Sequence, residues 1–233
     1  MKKTFSSICF DMDGVLIESR AVVERAWTSV ANAYGVAIDD ATMHEHVHGR
    51  PGRYTLDRLF SAFSEDERAL IKRQVDSVEE TASSPLLHGA RGLLDALHDA
   101  RVPCALVTSS WPARIEFVLA QHRLQNFFQV LVSREDVAAG KPSPLCYQLA
   151  AKRLGVAPDS CLVFEDSRSG VIAAVASGAH CVGLGDDPHL KQLGALAQYP
   201  DFTALSTLFV SNQSATLHCL DADENRAVLE LVR

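Results

Sequence analysis

The feature that most constrains the fold of this chain is a series of five short, predominantly apolar segments. They comprise residues 6–10, 103–108, 128–132, 161–164 and 180–184. Helical patterns lie between several of them, at residues 90–100, 143–155 and 169–178. Strands that are apolar on both faces and alternate with helices are typical of a parallel sheet that helices cover on both sides. The sequence therefore predicts an α/β fold.

A helical insertion interrupts this alternation after the first apolar segment. No segment between about residue 20 and residue 82 resembles a strand, whereas three helical patterns follow one another there. They cover residues 22–34, 53–63 and 64–80. The third begins with a capping box, because Ser64 is followed three residues later by a glutamate. We expect residues 18–85 to form an all-helical cap, and residues 1–17 and 86–210 to form the core.

The end of the chain has a different pattern. Two predominantly apolar segments, residues 216–220 and 227–232, flank the polar residues 221–226. This arrangement predicts a β-hairpin with a polar turn. We expect residues 211–233 to form a C-terminal β-hairpin extension that either lengthens the sheet or contacts another subunit.

Composition and charge argue against several classes of protein. The formal net charge of −7 is opposite to the basic surface that is typical of nucleic-acid binding, and no apolar window approaches the length of a membrane span. The six cysteines form no C-x-x-C pair. Four of them lie in the apolar segments, where a free cysteine packs as a small hydrophobic residue. We expect a cytoplasmic protein, a monomer or weak homodimer, without a nucleic-acid or membrane partner.

Two carboxylates stand at the end of the first predicted strand. Asp11 and Asp13 are separated by one residue, so their side chains would point to the same side of an extended strand. Carboxylates that share a small volume repel each other unless a cation or a proton intervenes. Gly14 allows a tight turn directly after them. The pattern predicts a reactive or cation-binding site, although two surface aspartates in a turn would also explain it.

Polar residues also follow other predicted strands or precede a helix. Thr108 and Ser109 follow the second segment, Glu165 and Asp166 follow the fourth, and Lys141 precedes a helix. Each has a simpler explanation, because hydroxyls favour turns, carboxylates favour helix N-termini and a lone lysine is usually solvated. However, ligands bind beyond the carboxyl ends of the strands in such sheets. We therefore expect these residues to meet.

Together these residues would form a phosphoryl-transfer site. Asp11 and Asp166, with the glutamate before Asp166, offer the hard oxygen ligands that suit Mg²⁺. Lys141 and Thr108 would hold phosphate oxygens. An aspartate can act as a nucleophile and form an aspartyl-phosphate. Asp13 could protonate the leaving oxygen and then activate water.

Four ordered motifs resemble those of the haloacid dehalogenase-like hydrolases. They are the sequence DMDGVL at residues 11–16, Thr108-Ser109, Lys141-Pro142 and Glu165-Asp166-Ser167. The resemblance extends from Ser6 to about Leu208. It implies a Rossmann-like parallel sheet with a helical cap inserted after the first strand.

The resemblance also implies roles for the motif residues in catalysis and phosphate binding. Asp11 would be the nucleophile, and Asp13 would be the general acid and base. Thr108, Ser109 and Lys141 would bind the phosphate group. Asp13 distinguishes this chain from the dehalogenase and phosphonate-cleaving branches of the family, which lack an acid two residues after the nucleophile. The resemblance therefore implies phosphate-ester chemistry.

A Mg²⁺ site is implied by the same resemblance. Asp11 and Asp166 would bind the ion through their carboxylates, and Asp13 through its backbone carbonyl. Glu165 would act through a metal-bound water.

The predicted cap contains a candidate specificity loop at residues 47–53. His48, Gly49 and Arg50 are the candidate substrate contacts, although an ordinary loop between helices would also account for the glycine. Together with residues 23–27, this loop resembles bacterial sugar and polyol phosphate phosphatases. In β-phosphoglucomutases the first cap helix carries a histidine at the position of Val23, and its absence here argues against a mutase.

The sequence therefore predicts a Mg²⁺-dependent phosphatase that hydrolyses small sugar or polyol phosphates through an aspartyl-phosphate. One alternative is a β-phosphoglucomutase-like enzyme, in which a sugar hydroxyl instead of water discharges the phosphoenzyme. Cap closure would control that choice by excluding or positioning water. The other alternative is a phosphosugar-binding module without catalytic activity.

Overall fold

The structure is a computed structural model that describes residues 3–48, 50–211, 214–219 and 227–232. The strands are β1 (Lys3–Phe5), β2 (Ser7–Phe10), β3 (Cys104–Val107), β4 (Val130–Val132), β5 (Cys161–Glu165), β6 (His180–Leu184), β7 (Ala197–Tyr199), β8 (Leu205–Ser211), β9 (Ser214–Cys219) and β10 (Ala227–Val232). The α-helices are α1 (Arg20–Ala33), α2 (Asp40–His46), α3 (Gly52–Leu59), α4 (Glu65–Glu80), α5 (Ala90–Asp99), α6 (Pro112–His122), α7 (Leu145–Leu154) and α8 (Arg168–Ser177).

Six parallel strands form the central sheet, in the order β4-β3-β2-β5-β6-β7. The strand β2 lies between β3 and β5, and its last residue, Phe10, pairs with Leu106 on one side and Phe164 on the other. The next residue of each of these strands is therefore at the same level of the carboxyl edge. These residues are Asp11, Val107 and Glu165.

Apolar clusters cover both faces of the sheet, because successive strand residues point to opposite sides. On one face, Ile8 and Phe10 pack in a cluster that includes residues of α5 and α6. On the other face, Cys9 packs in a cluster that includes residues of α7 and α8. The cysteines of the predicted strands are buried and free, as expected. They are Cys9, Cys104, Cys161 and Cys181.

The predicted α/β class, a parallel sheet with a helical insertion, is confirmed. Each of the five predicted strands matches an observed strand to within two residues at both ends. The strands β1, β7 and β8 were absent from the prediction. β1 and β7 have three residues each, which is too short to show a period-two pattern.

In residues 18–48 and 50–85, the helical insertion contains four helices, α1 to α4, and not the three that the sequence predicted. The additional helix is α2, whose seven residues bury only Met43, so it has no amphipathic stripe for a pattern to detect. The capping box of α4 is confirmed, with reciprocal hydrogen bonds between Ser64 and Glu67. The second predicted helix is shorter than expected, because α3 ends at Leu59.

The insertion has its own hydrophobic cluster, which includes Trp27 and Phe60. Its two connections to the rest of the chain run side by side. The amide of Glu18 donates to the carbonyl of Pro85 at 2.9 Å, and Ile17 forms an antiparallel bridge with Leu86. That the cap extends from residue 18 to residue 85 stays a prediction.

A second sheet has the strand order β1-β10-β9-β8. The two strands of the predicted hairpin, β9 and β10, pair antiparallel in it and do not lengthen the six-stranded sheet. The predicted turn at residues 221–226 lies outside the described residues. Among the helices of the described part of the chain, none is both long and apolar enough to cross a membrane.

Candidate active site

Asp11 lies at the centre of the carboxyl edge of the sheet. It follows β2 directly, and its amide donates to the carbonyl of Phe164 at 3.1 Å. This bond continues the pairing of β2 with β5 by one residue. Asp11 is only 7% exposed, so the charge of its side chain depends on its protein neighbours.

Lys141 joins Asp11 to the neighbouring strands. Its Nζ donates to Asp11 Oδ1 at 2.5 Å, to Glu165 Oε1 at 2.6 Å and to the carbonyl of Val107 at 3.1 Å. Burial would lower the pKa of Lys141, but the charges of Asp11 and Glu165 raise it well above its ordinary value. The lysine is therefore a fixed positive charge between two carboxylates.

Glu165 is completely buried and has hydrogen bonds on both oxygens. Besides Lys141, its Oε1 accepts from the hydroxyl of Tyr147 at 2.8 Å. Its Oε2 accepts from the amide of Asp166 at 3.1 Å, and from the amide and hydroxyl of Ser167 at 3.2 and 3.1 Å. These contacts hold the carboxylate in one orientation.

Three carboxylates gather around this arrangement. Oxygens of Asp11, Glu165 and Asp166 all lie within 4.8 Å of one another. Burial raises the pKa of Asp11 to about 7, with Lys141 opposing the rise and Glu165 adding to it. Burial also raises the pKa of Asp166 well above its ordinary value, and the charges of Glu165 and Asp11 add to the effect. One lysine therefore does not balance the three acids.

The cluster fits a hard divalent cation. All the side-chain donors are carboxylate oxygens, which Mg²⁺ prefers. Gly14 makes room for the Asp166 carboxylate, because a Cβ at residue 14 would lie 2.0 Å from Asp166 Oδ2. Gly14 also has a φ of +78°, which other residues rarely adopt. The turn within the first motif is thus shaped around Asp166, the acid of the fourth motif.

Asp13 lies outside this cluster of three carboxylates and has a different partner. The hydroxyl of Ser110 donates to Asp13 Oδ2 at 3.0 Å. The amide of Ser110 donates in turn to Thr108 Oγ1 at 3.0 Å, and the amide of Thr108 donates to the carbonyl of Val132. The loop after β3 therefore orients Asp13 as well as supplying the buried hydroxyl of Thr108. Ser109 is exposed on the same loop.

The predicted specificity residues of the insertion have contacts among its own helices. His48 Nε2 lies 2.8 Å from Glu24 Oε1, and His48 Nδ1 lies 3.2 Å from a guanidinium nitrogen of Arg20. Arg50 donates to the carbonyl of Glu45 at 3.0 Å. Within the described ranges, no hydrogen bond or ion pair links His48 or Arg50 to the carboxyl edge of the sheet. Gly49 lies outside the described residues, and substrate contact by this loop stays a prediction.

Several residues around the site had no role in the sequence prediction. Ser110 and Tyr147 contact the motif residues Asp13 and Glu165 directly. A buried tyrosine requires a hydrogen-bond partner, but the sequence does not show which one. Trp111 donates from Nε1 to Glu80 Oε2 at 2.7 Å.

The C-terminal end of α4 is attached to the core beside this loop. The guanidinium of Arg114, which is 2% exposed, donates to the carbonyls of Ala82 and Glu80 at 2.6 and 3.4 Å. Farther along α6, Gln121 and His122 contact the carbonyl of Ser84 at 3.0 and 2.9 Å. The first turn of α6, through Arg114, therefore connects the loop after β3 to the C-terminal end of α4.

Comparison with known proteins agrees with these motifs. Residues 5–178 match the model of a haloacid dehalogenase-like hydrolase family. Hexitol phosphatase A of Escherichia coli (strain K12) is 34% identical over 191 residues, which are 79% of this chain and 86% of that protein. The phosphorylated carbohydrates phosphatase of Thermotoga maritima is 33% identical over 200 residues, 82% of this chain and 92% of that protein.

Solved structures are similar over most of the chain. CbbY from Rhodobacter sphaeroides in complex with phosphate has 25% identity and a TM-score of 0.75, with 87% of this chain and 96% of that chain covered. A β-phosphoglucomutase from Clostridium difficile has 25% identity and a TM-score of 0.72, with 83% and 90% covered.

Proposed function

Since this chain belongs to the haloacid dehalogenase-like hydrolase family, we propose that it hydrolyses phosphate monoesters of small sugars or polyols, with Mg²⁺ as cofactor and an aspartyl-phosphate as intermediate. The observation that carries the proposal is the buried arrangement of Asp11, Lys141 and Glu165 beside Asp166. The names of the relatives, a hexitol phosphatase and a phosphatase of phosphorylated carbohydrates, support this substrate class.

Asp11 is the proposed nucleophile. Its carboxylate attacks phosphorus, the bond between phosphorus and the leaving alkoxide oxygen breaks, and the phosphoryl group is transferred to Asp11. Lys141 is within 2.5 Å of the Asp11 carboxylate, so its positive charge favours the ionised nucleophile and would stabilise charge on the phosphoryl oxygens. Thr108 and Ser109 are proposed to bind the same oxygens from the loop after β3.

Asp13 is the proposed general acid and base. It donates a proton to the leaving oxygen in the first step, and it removes a proton from water in the second step. The water oxygen then attacks phosphorus, which releases inorganic phosphate and restores Asp11. The hydroxyl of Ser110, 3.0 Å from Asp13 Oδ2, keeps this carboxyl group apart from the cluster of three carboxylates.

The proposed Mg²⁺ ligands are the carboxylates of Asp11 and Asp166 and the backbone carbonyl of Asp13, with Glu165 acting through a metal-bound water. Bound Mg²⁺ would neutralise part of the charge of these acids and of the transferred phosphoryl group. The five hydrogen bonds of Glu165 are compatible with an indirect contribution, since they already hold both of its oxygens.

The proposal favours hydrolysis over a mutase reaction. Although a β-phosphoglucomutase shares the fold, the chain has Val23 where the resemblance places a histidine of the first cap helix. A phosphosugar-binding module without activity would not need the two acids Asp11 and Asp13 together with Lys141.

Substitution of the nucleophile tests the proposal. We expect Asp11→Asn to lower phosphate release from sugar and polyol phosphates by about 10³-fold or more, because a single nucleophile carries the transfer. The measurement is free phosphate in the presence of Mg²⁺, together with the isomer composition of the remaining substrate. Interconversion of isomers without phosphate release by the unsubstituted protein would indicate a mutase instead.

The variant Asp13→Asn supplies the comparison within the same experiment. It should slow the hydrolysis of alkyl phosphates, whose leaving oxygen needs a proton, much more than that of aryl phosphates with activated leaving groups. Equal losses for both classes would argue against a general-acid role for Asp13. Substantial turnover by Asp11→Asn would contradict the proposed nucleophile.

A further inference from the structure

The last turn of α4 carries a carboxyl group that the proposed reaction does not use. Glu79 is half-buried there, and burial raises its pKa to about 7. Lys72, Asp13, Asp76 and Arg114 are all close enough for their charges to influence that pKa. Glu79 is therefore a group of the helical insertion that lies within electrostatic reach of the proposed general acid.

Contacts of the residues that follow Glu79 hold this turn against the core. The carboxylate of the next residue, Glu80, accepts from Trp111 Nε1 at 2.7 Å, and Arg114 donates to the carbonyl of Ala82 at 2.6 Å. Trp111 directly follows Ser110, which donates to Asp13. The turn that carries Glu79 is thus attached to the same loop that orients Asp13.

Glu79 differs from the other acids nearby because its carboxylate lacks a hydrogen-bond or ion-pair partner among the residues described. Asp76 forms ion pairs with Lys72 and Arg134, and Glu80 accepts from Trp111. In contrast, the carboxylate of Glu79 has no hydrogen bond and no ion pair with any residue that the structure describes. A carboxyl group that is partly removed from water without a partner lowers stability. Hydrogen bonds from a bound molecule would compensate for that loss.

In the proposed reaction, phosphorus is at Asp11 and the leaving oxygen is at Asp13, so the rest of the substrate is attached beside Asp13. Glu79 is a group of the insertion whose charge reaches Asp13. Of the cations near Glu79, Lys72 is paired with Asp76, and Arg114 is bonded to the carbonyls at the end of α4. The unpaired acceptor therefore suits uncharged hydroxyl groups better than a second phosphate.

We propose that Glu79 is a specificity-determining residue that accepts hydrogen bonds from hydroxyl groups of the polyol or sugar portion of the substrate. The inference rests on the proposed function, because it takes the positions of phosphorus and of the leaving oxygen from it. It assigns to the last turn of α4 a part in substrate recognition that is separate from the loop containing His48 and Arg50.

Two substrates that differ in hydroxyl groups test this role. Sorbitol 6-phosphate and n-hexyl phosphate have six carbons and alkoxide leaving groups, but only the former offers hydroxyls to Glu79. We expect Glu79→Leu to lower kcat/KM for sorbitol 6-phosphate about tenfold or more, mainly through KM, and to leave n-hexyl phosphate within about twofold. Glu79→Gln should lower kcat/KM for sorbitol 6-phosphate less than Glu79→Leu does, since its amide oxygen still accepts hydrogen bonds.

The matched control is Glu116→Leu, the same change at an exposed position of α6, which should alter neither substrate. An equal loss for both substrates in Glu79→Leu would show that Glu79 supports the reaction or the fold, and would overturn the inference. An unchanged kcat/KM for sorbitol 6-phosphate would do the same. If Glu79→Leu does not fold, the comparison is made with Glu79→Gln, for which a loss confined to the hydroxylated substrate is expected.

A binding measurement separates this inference from the proposed function. Calorimetry compares sorbitol 6-phosphate binding to Asp11→Asn and to Asp11→Asn/Glu79→Leu, neither of which needs to turn the ester over. A Kd about tenfold higher in the double variant would support the inference even if the unsubstituted protein released no phosphate. Equal Kd values, or no binding to either variant, would overturn it.

Discussion

At the scale of single residues, the site depends on a small set of side chains that form hydrogen bonds with one another around Lys141. The lysine bonds Asp11 and Glu165, and Tyr147 bonds the same oxygen of Glu165. The ring of Tyr147 also lies 5.1 Å from Lys141 Nζ, a distance at which a cation and an aromatic face attract. Tyr147 therefore positions the lysine and the glutamate without reaching the substrate itself.

Removal of one hydroxyl group tests this positioning. Tyr147→Phe keeps the packing of the ring but removes the 2.8 Å bond to Glu165. We expect a loss of about 1–2 kcal/mol in the free energy of unfolding, because a buried charged acceptor loses a donor. We also expect a lower kcat with little change in KM, measured by thermal unfolding and phosphate release.

A tyrosine of the insertion provides the control for this change. Tyr54→Phe removes an exposed hydroxyl that contacts His46, and it should leave both stability and kcat nearly unchanged. If Tyr147→Phe behaved like Tyr54→Phe, the bond to Glu165 would have no part in positioning Lys141.

At the scale of secondary structure elements, the junction between α4 and α6 is the feature that connects the insertion to the site. The first turn of α6 contains Arg114, which donates to the carbonyl of the last residue of α4, Glu80, and to that of Ala82 just beyond it. Unsatisfied terminal carbonyls weaken a helix end. The same turn follows the loop of Thr108 and Ser110. A displacement of α4 would therefore be transmitted to the partner of Asp13.

Loss of the arginine should weaken this junction. Arg114→Met leaves the partly buried carbonyls of Ala82 and Glu80 without this donor, so we expect a loss of about 1–3 kcal/mol in the free energy of unfolding and faster proteolysis at residues 81–85. Thermal unfolding and limited proteolysis measure the two effects. Arg73→Met, an exposed change on α4, is the control, and an unchanged melting temperature in Arg114→Met would contradict the assigned role.

At the scale of the whole molecule, the sheet concentrates negative charge at one edge. Asp11, Glu165 and Asp166 meet there because the neighbouring parallel strands β2 and β5 end at the same level, with Asp11 directly after β2 and the other two acids at the end of β5. The pKa of Asp11, about 7 in the fold against an ordinary value of 3.8, has a direct consequence for stability. As pH rises from about 4 to 7, the unfolded chain releases a proton that folded Asp11 keeps, so stability without metal falls over this range.

Addition of Mg²⁺ should reverse this loss of stability. The ion would supply beside Asp11 the positive charge that the proton supplies at lower pH. At pH 8 and a hundredfold excess over Kd, we expect a gain of about 2.7 kcal/mol, or roughly 5–10 °C in melting temperature. The gain should be smaller at pH 5.5, where the proton competes. Thermal unfolding with Mg²⁺ or with EDTA measures it.

The variant Asp166→Asn is the control for the metal experiment, because it removes a proposed ligand at nearly constant volume. It should lose most of the stabilisation by Mg²⁺. An equal stabilisation at both pH values, or in Asp166→Asn, would place the ion elsewhere or leave Asp11 out of its binding.

The sequence by itself determined the features that short segments encode. The five apolar strands, the capping box at Ser64 and the acids at strand ends all follow from local patterns, and the structure has them where they were predicted. The short helix α2 escaped prediction, since a single buried residue, Met43, produces no periodic signal. The meeting of the motif residues at one edge also followed, because parallel strands share a direction.

Only the tertiary structure decided which side chains complete the site. Ser110 reaches Asp13 across 97 positions of the chain, and Lys141 reaches Asp11 across 130. For Lys141, a motif indicated a place at the site as a phosphate ligand but not its contact with Asp11, and nothing local distinguishes Ser110, Tyr147 or Glu79 from other polar residues. Their partners are set by the register of the strands and by the attachment of α4 to α6, and these depend on packing between segments that are distant in sequence.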